Sequence, residues 1–147
     1  MFKRILVPTD GSQFSQDTVR RAVSFAQDAG ASIFAFYARP RYPFSYYSEG
    51  VVFDSTPPGR FEALAEQEAQ EILGFVDDLC RQAGVKCSKL IIASEVVYKA
   101  IIEAATQNDC DLIFMASHGR RGLSALLLGS ETHKVLTHSK IPVLVYR

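Results

Sequence analysis

No run in this sequence approaches the ~20 consecutive apolar residues that carry a helix across a bilayer, so no membrane-spanning helix is expected. The opening stretch MFKRILVPTDGS has too short an apolar segment for a signal peptide, and Pro8 and Asp10 interrupt it. The expectation is a mature cytoplasmic domain. A basic excess is also missing, because 16 Lys and Arg residues meet 16 Asp and Glu residues for a net charge of zero. Nucleic-acid binders draw much of their affinity from neutralising phosphates, so nucleic acid is set aside as a partner. Cysteine is scarce and has no C-x-x-C spacing: Cys80, Cys87 and Cys110 are expected to be reduced core or helix-face residues. His118, His133 and His138 do not supply the missing part of a zinc pattern, and His133 and His138 fall on different helix faces.

Catalytic signatures are lacking in the same way. There is no G-x-x-x-x-G-K-[ST], no G-x-G-x-x-G and no G-x-S-x-G. No lysine within a phosphate loop and no second acid to hold Mg²⁺ are evident, so any ATPase activity should be slow. Ser12 and Ser15 have no paired base and read as caps for a first helix. Neither an internal repeat nor a linker divides the chain, so residues 1–147 are read as one domain.

What is present is alternation. Short apolar runs rich in β-branched and aromatic residues predict strands at Arg4–Val7 and Ser32–Ala38, then in VKCSKLIIA, DLIFMA and PVLVYR. Between them, helical spacing joins Val19, Ala22, Val23, Ala26 and Ala29, with Gly30 placed as a C-cap. A second amphipathic pattern runs from Phe61 to Leu79 and closes at Gly84; a third carries Val97, Ala100, Ile101, Ala104 and Ala105, and SETHKVLTHS gives a fourth. Such alternation implies βαβ units, a mostly parallel sheet and helices on both faces. Ligands of open α/β sheets bind outside the carboxyl ends of the strands, where strand order reverses. That directs attention to PTDGS after the first strand and SHGRRG after the fourth. Residues 39 to 59, with four of the six prolines, form a long irregular stretch that reads equally as a lid or as a surface excursion.

The loop MASHGRRGLSALLLGSETHK leads from a strand to a helix. Ser130 suits a helix N-cap, which would leave the amides of Gly129, Ser130 and Glu131 facing outward as an anion site. Gly119 and Gly129 would permit positive φ or close approach to a phosphate, while His118, Arg120 and Arg121 could reach it. Equally, these glycines only turn the chain and the serine only caps a helix. GRRG could also be the GxxG loop of a KH domain, but that loop joins two helices and this one follows a strand. Asp10 lies just beyond the first strand and faces the same crevice, or else it stabilises its own turn.

The segments ILVPTDGS, DLIFMASHGRRG and LLLGSETHKVLTHSKIPVLVYR resemble the universal stress protein (UspA-like) family over essentially the whole chain, least over residues 39–60. The resemblance implies an open five-stranded α/β sheet of order 3-2-1-4-5, an adenine nucleotide alpha hydrolase-like fold. It also implies a homodimer paired through the last strand, around Val143 and Val145. One branch of that family binds ATP through G-x-x-G-(nine residues)-G-[ST]. Here the pattern falls on Ala116, Gly119, Gly129 and Ser130, with the spacing kept and alanine in place of the first glycine. By this resemblance Gly119, Gly129 and Ser130 wrap the phosphates, Asp10 contacts the adenosine and the backbone of Ala38 meets the adenine. The full candidate set is Pro8, Thr9, Asp10, Ala38, Met115, Ala116, His118, Gly119, Arg120, Gly129, Ser130 and Glu131. The expected ligand is ATP, or AMP or ADP in its place, with Mg²⁺ as an optional companion. The expected role is an adenine-nucleotide-binding module in a stress response, and the alternative is a nucleotide-free dimer acting through its surface. Gly129→Val is expected to remove the phosphate approach and leave the fold intact.

Overall fold

A computed structural model describes residues 1–41, 57–119 and 127–147. In chain order the elements are β1 (Arg4–Pro8), α1 (Gln13–Ala29), β2 (Ser32–Arg39), α2 (Pro58–Ala83), β3 (Cys87–Ala93), α3 (Val97–Gln107), β4 (Leu112–Ala116), α4 (Ser130–His138) and β5 (Val143–Tyr146). The strands form one sheet of order β3-β2-β1-β4-β5, and every pairing is parallel. The predicted strands and helices are all present, several with an end at the expected residue and the first helix starting at Gln13, six residues before Val19. Strand order reverses between β1 and β4, so the carboxyl ends of those two strands open the crevice that such a sheet offers to a ligand.

Side-chain alternation explains how one sheet covers two layers. Ile5 and Val7 of β1, Ile33, Ala35 and Tyr37 of β2, and Leu112 and Phe114 of β4 point one way. They meet Val19, Ala22, Val23 and Ala26 of α1 and Ala69, Leu73 and Val76 of α2. Leu6, Phe36, Ile113 and Met115 point the other way, against Ala100, Ile101, Ala104 and Ala105 of α3 and Val135 of α4. The small residues on α1 and α3 let those helices lie close to the sheet, and the large volumes come from the strands. Strands buried on both faces have to be apolar throughout, which is why LIFMA reads as an unbroken hydrophobic run.

Helix ends are fixed locally. Ser12 is the N-cap of α1, its hydroxyl accepting the Ser15 amide at 3.2 Å. Ser15 is not a cap: it is buried within the first turn, its hydroxyl 2.7 Å from that of Thr9. Gly30 and Gly84 close α1 and α2 in the left-handed conformation, as expected of C-caps. Among the described residues no helix is long and apolar enough to cross a membrane.

Candidate functional site

The turn after β1 is built by its own polar atoms. Thr9 is almost fully buried and donates its amide to the Phe36 carbonyl at 2.9 Å, extending the sheet by one residue. Asp10 follows at the rim. Its carboxylate accepts the Ser12 amide at 2.9 Å, and its own amide donates to the Ser15 hydroxyl at 3.3 Å. Gly11, at φ 78°, completes the turn. Asp10 therefore does stabilise PTDGS, and its carboxylate also faces β4, because a β-carbon placed on Gly119 would collide with Asp10 Oδ2. With glycine at 119 the Asp10 carboxylate keeps its place; a β-carbon there would make it shift.

On the β4 side, Ala116 ends the strand opposite Tyr146, and Ser117 is buried. The Ser117 carbonyl accepts the Gly129 amide at 2.7 Å, and the Ala116 carbonyl accepts the Thr132 hydroxyl at 2.9 Å. These two bonds fasten the start of α4 to the end of β4. A β-carbon on Gly129 would lie 3.0 Å from His118 Cα and 3.2 Å from the Ser117 oxygen. The close approach at Gly129 is thus to the protein's own backbone, and Gly129→Val would crowd it, so that a stability cost is expected beside the loss of the phosphate approach. Positive φ is not what these two glycines provide: Gly129 has φ −61°, and the positive-φ glycines of the described residues are Gly11, Gly30 and Gly84.

Two details of the expected anion site change. Gly129, not Ser130, holds the cap position of α4, and Ser130 is the first helical residue. The Gly129 amide is already taken by Ser117, so the outward donors are those of the first helical turn, Ser130 and Glu131. Because the cap is glycine, the cap residue has no side chain to satisfy them. The contrast with α1, whose Ser12 hydroxyl caps its own helix, is direct. The start of α4, a helix end with a positive dipole, thus has no side-chain bond from its own cap residue, and its first turn carries Glu131.

The remaining candidates separate into contributors and structural residues. Phe36 gives its carbonyl to Thr9 on the β1 side, and the Arg39 carbonyl accepts the Ser94 amide on the β3 side. Parity along the strand then places the N–H and C=O of Ala38 on the β1 side, two residues past the final β1 pair, Pro8 with Phe36. That backbone edge offers one donor and one acceptor to the crevice. Met115 is buried in the α3–α4 layer, so its side chain packs rather than binds. The His118 ring stacks on Phe14 with centroids 4.1 Å apart, and its Nδ1 lies 3.0 Å from the Ser117 hydroxyl. His118 thus bridges the α1 and β4 sides of the crevice. The Glu131 side chain turns away, accepting the Tyr98 amide at 2.9 Å at the start of α3. It caps a neighbouring helix whose own cap residue, Val96, has no side-chain acceptor. Arg120, Arg121 and most of the 39–60 stretch lie outside the described residues.

The comparisons with known proteins agree with this fold. The model of the universal stress protein family matches residues 1–147. The chain belongs to the universal stress protein family. Among curated members it is 31% identical over 150 residues to universal stress protein MJ0531 of Methanocaldococcus jannaschii, covering 100% of this chain and 83% of that one. The solved structure of MJ0577 from the same organism superimposes with a TM-score of 0.81 at 24% identity, covering 99% of this chain and 95% of that one. Two other family structures were determined with a nucleotide. A universal stress protein in complex with cAMP has a TM-score of 0.67 at 22% identity, covering 99% and 97% of the two chains. The Archaeoglobus fulgidus protein in complex with dAMP has a TM-score of 0.66 at 16% identity, covering 100% and 98%. At these identities the structures establish the fold, the adenine nucleotide alpha hydrolase-like arrangement.

Proposed function

We propose that this universal stress protein binds an adenine nucleotide, ATP in the first instance, in the crevice between β1 and β4. The observation that carries the reading lies at the reversal of strand order, where Asp10 after β1 lies against Gly119 after β4 and the glycine-capped start of α4 is fastened to the end of β4. The first-turn amides of Ser130 and Glu131 would hold phosphate oxygens, Asp10 a ribose hydroxyl, and the Ala38 backbone the donor–acceptor edge of adenine. Relatives solved with cAMP and dAMP support the same ligand class. Mg²⁺ would enter on the phosphates, since no group of three or more His, Cys, Asp or Glu is gathered as a metal site among the described residues. The role in this reading is binding and signalling with at most weak ATPase activity, since the sequence carries no P-loop lysine and no evident second acid for Mg²⁺.

Asp10→Ala tests the assignment. Loss of a hydrogen bond to a charged group is worth ~1.5–3 kcal/mol, which weakens nucleotide binding by about 10–150-fold. Titration of both proteins with a fluorescent adenine nucleotide measures it, and equal affinities would remove Asp10 from the site. A nucleotide-free dimer is the second reading. Ala116 favours it, because a β-carbon stands where the family motif has glycine. Either reading uses a homodimer, formed in this proposal by the edge strand β5, whose residues are all half-buried in the single chain. Val145→Glu should give monomers by sedimentation, and persistent dimers would place the interface elsewhere.

A further inference from the structure

We propose that Phe14 is a positioning residue of the nucleotide site: its ring holds His118, and through His118 it sets the span between Asp10 and the first turn of α4. The inference rests on the adenine-nucleotide reading above. In that reading the adenosine end is held from the β1 and β2 side, by Asp10 and the Ala38 backbone. The phosphates are held from the β4 side, by the amides of Ser130 and Glu131. A ligand that engages both sides binds best when their separation is fixed beforehand, because ordering them at the moment of binding costs affinity.

That separation is set where the end of β4 rests on the start of α1, and two consecutive residues make the contact. Gly119 lies against the Asp10 carboxylate. The His118 ring lies on the Phe14 ring, nearly parallel to it at 18°, with centroids 4.1 Å apart. The hydroxyl of buried Ser117, 3.0 Å from His118 Nδ1, fixes how the imidazole is turned. The backbone end of His118 meets α4: a β-carbon on Gly129 would lie 3.0 Å from its Cα and 3.2 Å from its Cβ. Phe14, His118 and the start of α4 are therefore in series, and the thickness of one aromatic stack enters the width of the crevice.

Core packing does not account for Phe14, which is half-buried and belongs to neither of the two core layers formed by the described residues. Capping does not account for it either, because Ser12 caps α1. Its place in the first turn of α1 joins it to Asp10. The Ser12 amide donates to the Asp10 carboxylate at 2.9 Å, and the Ser15 hydroxyl accepts the Asp10 amide at 3.3 Å, so residues on both sides of Phe14 are bonded to Asp10. The ring thus stands on the unit that carries Asp10 and reaches across to the unit that carries α4. Phe14 acts through His118 rather than on the ligand.

Titration of the whole protein with ATP–Mg²⁺ and, separately, with adenosine tests this. In Phe14→Ala the affinity for ATP should fall about tenfold, the upper range of what an aromatic pair contributes. Adenosine needs only the β1 and β2 side, so its affinity should stay within about twofold. Phe14→Tyr keeps the ring and should bind both ligands as the wild type does. Phe14→Leu, bulky but without a ring, should repeat the alanine result if alanine disturbs the fold. By NMR the His118 ring protons should lie upfield in the wild type, under the Phe14 ring current, and move downfield in the alanine and leucine variants. Unchanged ATP affinity in Phe14→Ala, equal weakening of ATP and adenosine, or a Phe14→Tyr protein that behaves like Phe14→Ala would each overturn the proposal and leave the nucleotide reading in place. A wild-type protein that binds neither ligand would overturn that reading, and the proposal with it.

Discussion

Gly129→Val should abolish adenine-nucleotide binding and also lower stability by about 1–3 kcal/mol, the usual cost of forcing extra atoms into a packed position. The valine β-carbon would fall 3.0 Å from His118 Cα, a backbone atom that cannot swing aside as a side-chain tip does. To make room, α4 and the Ser117–His118 segment must separate. A movement of a few tenths of an ångström is expected to lengthen the 2.7 Å bond from Gly129 to Ser117, strain the one from Thr132 to Ala116, and tilt the first-turn amides from their place. Chemical denaturation and nucleotide titration together check the prediction. Wild-type affinity in this variant would show that α4 takes no part in binding, whereas lost binding at full stability would mean that the packing contact is not what glycine serves.

Phe36→Ala should cost about 3–5 kcal/mol, the range for removing a fully buried aromatic ring, and should lower the thermal midpoint by roughly 6–20 °C. Phe36 is 1% exposed and the largest of the fully buried side chains. It stands between β1 and β3 on the central strands, under α3, where Ala100 and Ala104 are too small to close over the vacancy. Its backbone carbonyl is also the acceptor for Thr9, so relaxation of β2 around the cavity would reach the turn that carries Asp10. A midpoint shift of only a degree or two would show that the α3 layer collapses freely.

The elements were legible because their periods are unambiguous. Strands buried on both faces, such as LIFMA, leave continuous apolar runs, and Val19, Ala22, Val23 and Ala26 repeat at helical spacing. Gly30 and Gly84 mark helix ends because a left-handed residue is needed there. Strand order was available only through the family resemblance, since periodicity says nothing about which strands are neighbours. Within the candidate site, Asp10, Gly119 and Gly129 were singled out by their places after strand ends and before a helix. What they touch was not, because those contacts join residues distant in the sequence. Gly119 meets Asp10 from 109 positions away, and Gly129 packs on His118 rather than waiting only for a ligand. The carboxylate of Glu131 is used by the amide of Tyr98, 33 positions earlier, to cap a helix that has no cap of its own. Ser130 reads as the cap in the sequence because serine is the commoner cap residue, whereas Gly129 holds that position, closely packed against Ser117 and His118. The Phe14–His118 stack and the Thr132 hydroxyl bond had no sequence signal beyond the residue types.

The central claim is that the glycine-capped end of α4 and Asp10 receive an adenine nucleotide. Its most direct test is calorimetric titration of ATP–Mg²⁺ into protein stripped of small molecules, after those released from the fresh preparation have been identified. Binding at micromolar or lower Kd, one nucleotide per chain, is the predicted result, with adenine nucleotide among the released molecules. The absence of both heat and co-purified nucleotide would contradict the account and make the Ala116 methyl the first group to change back to hydrogen.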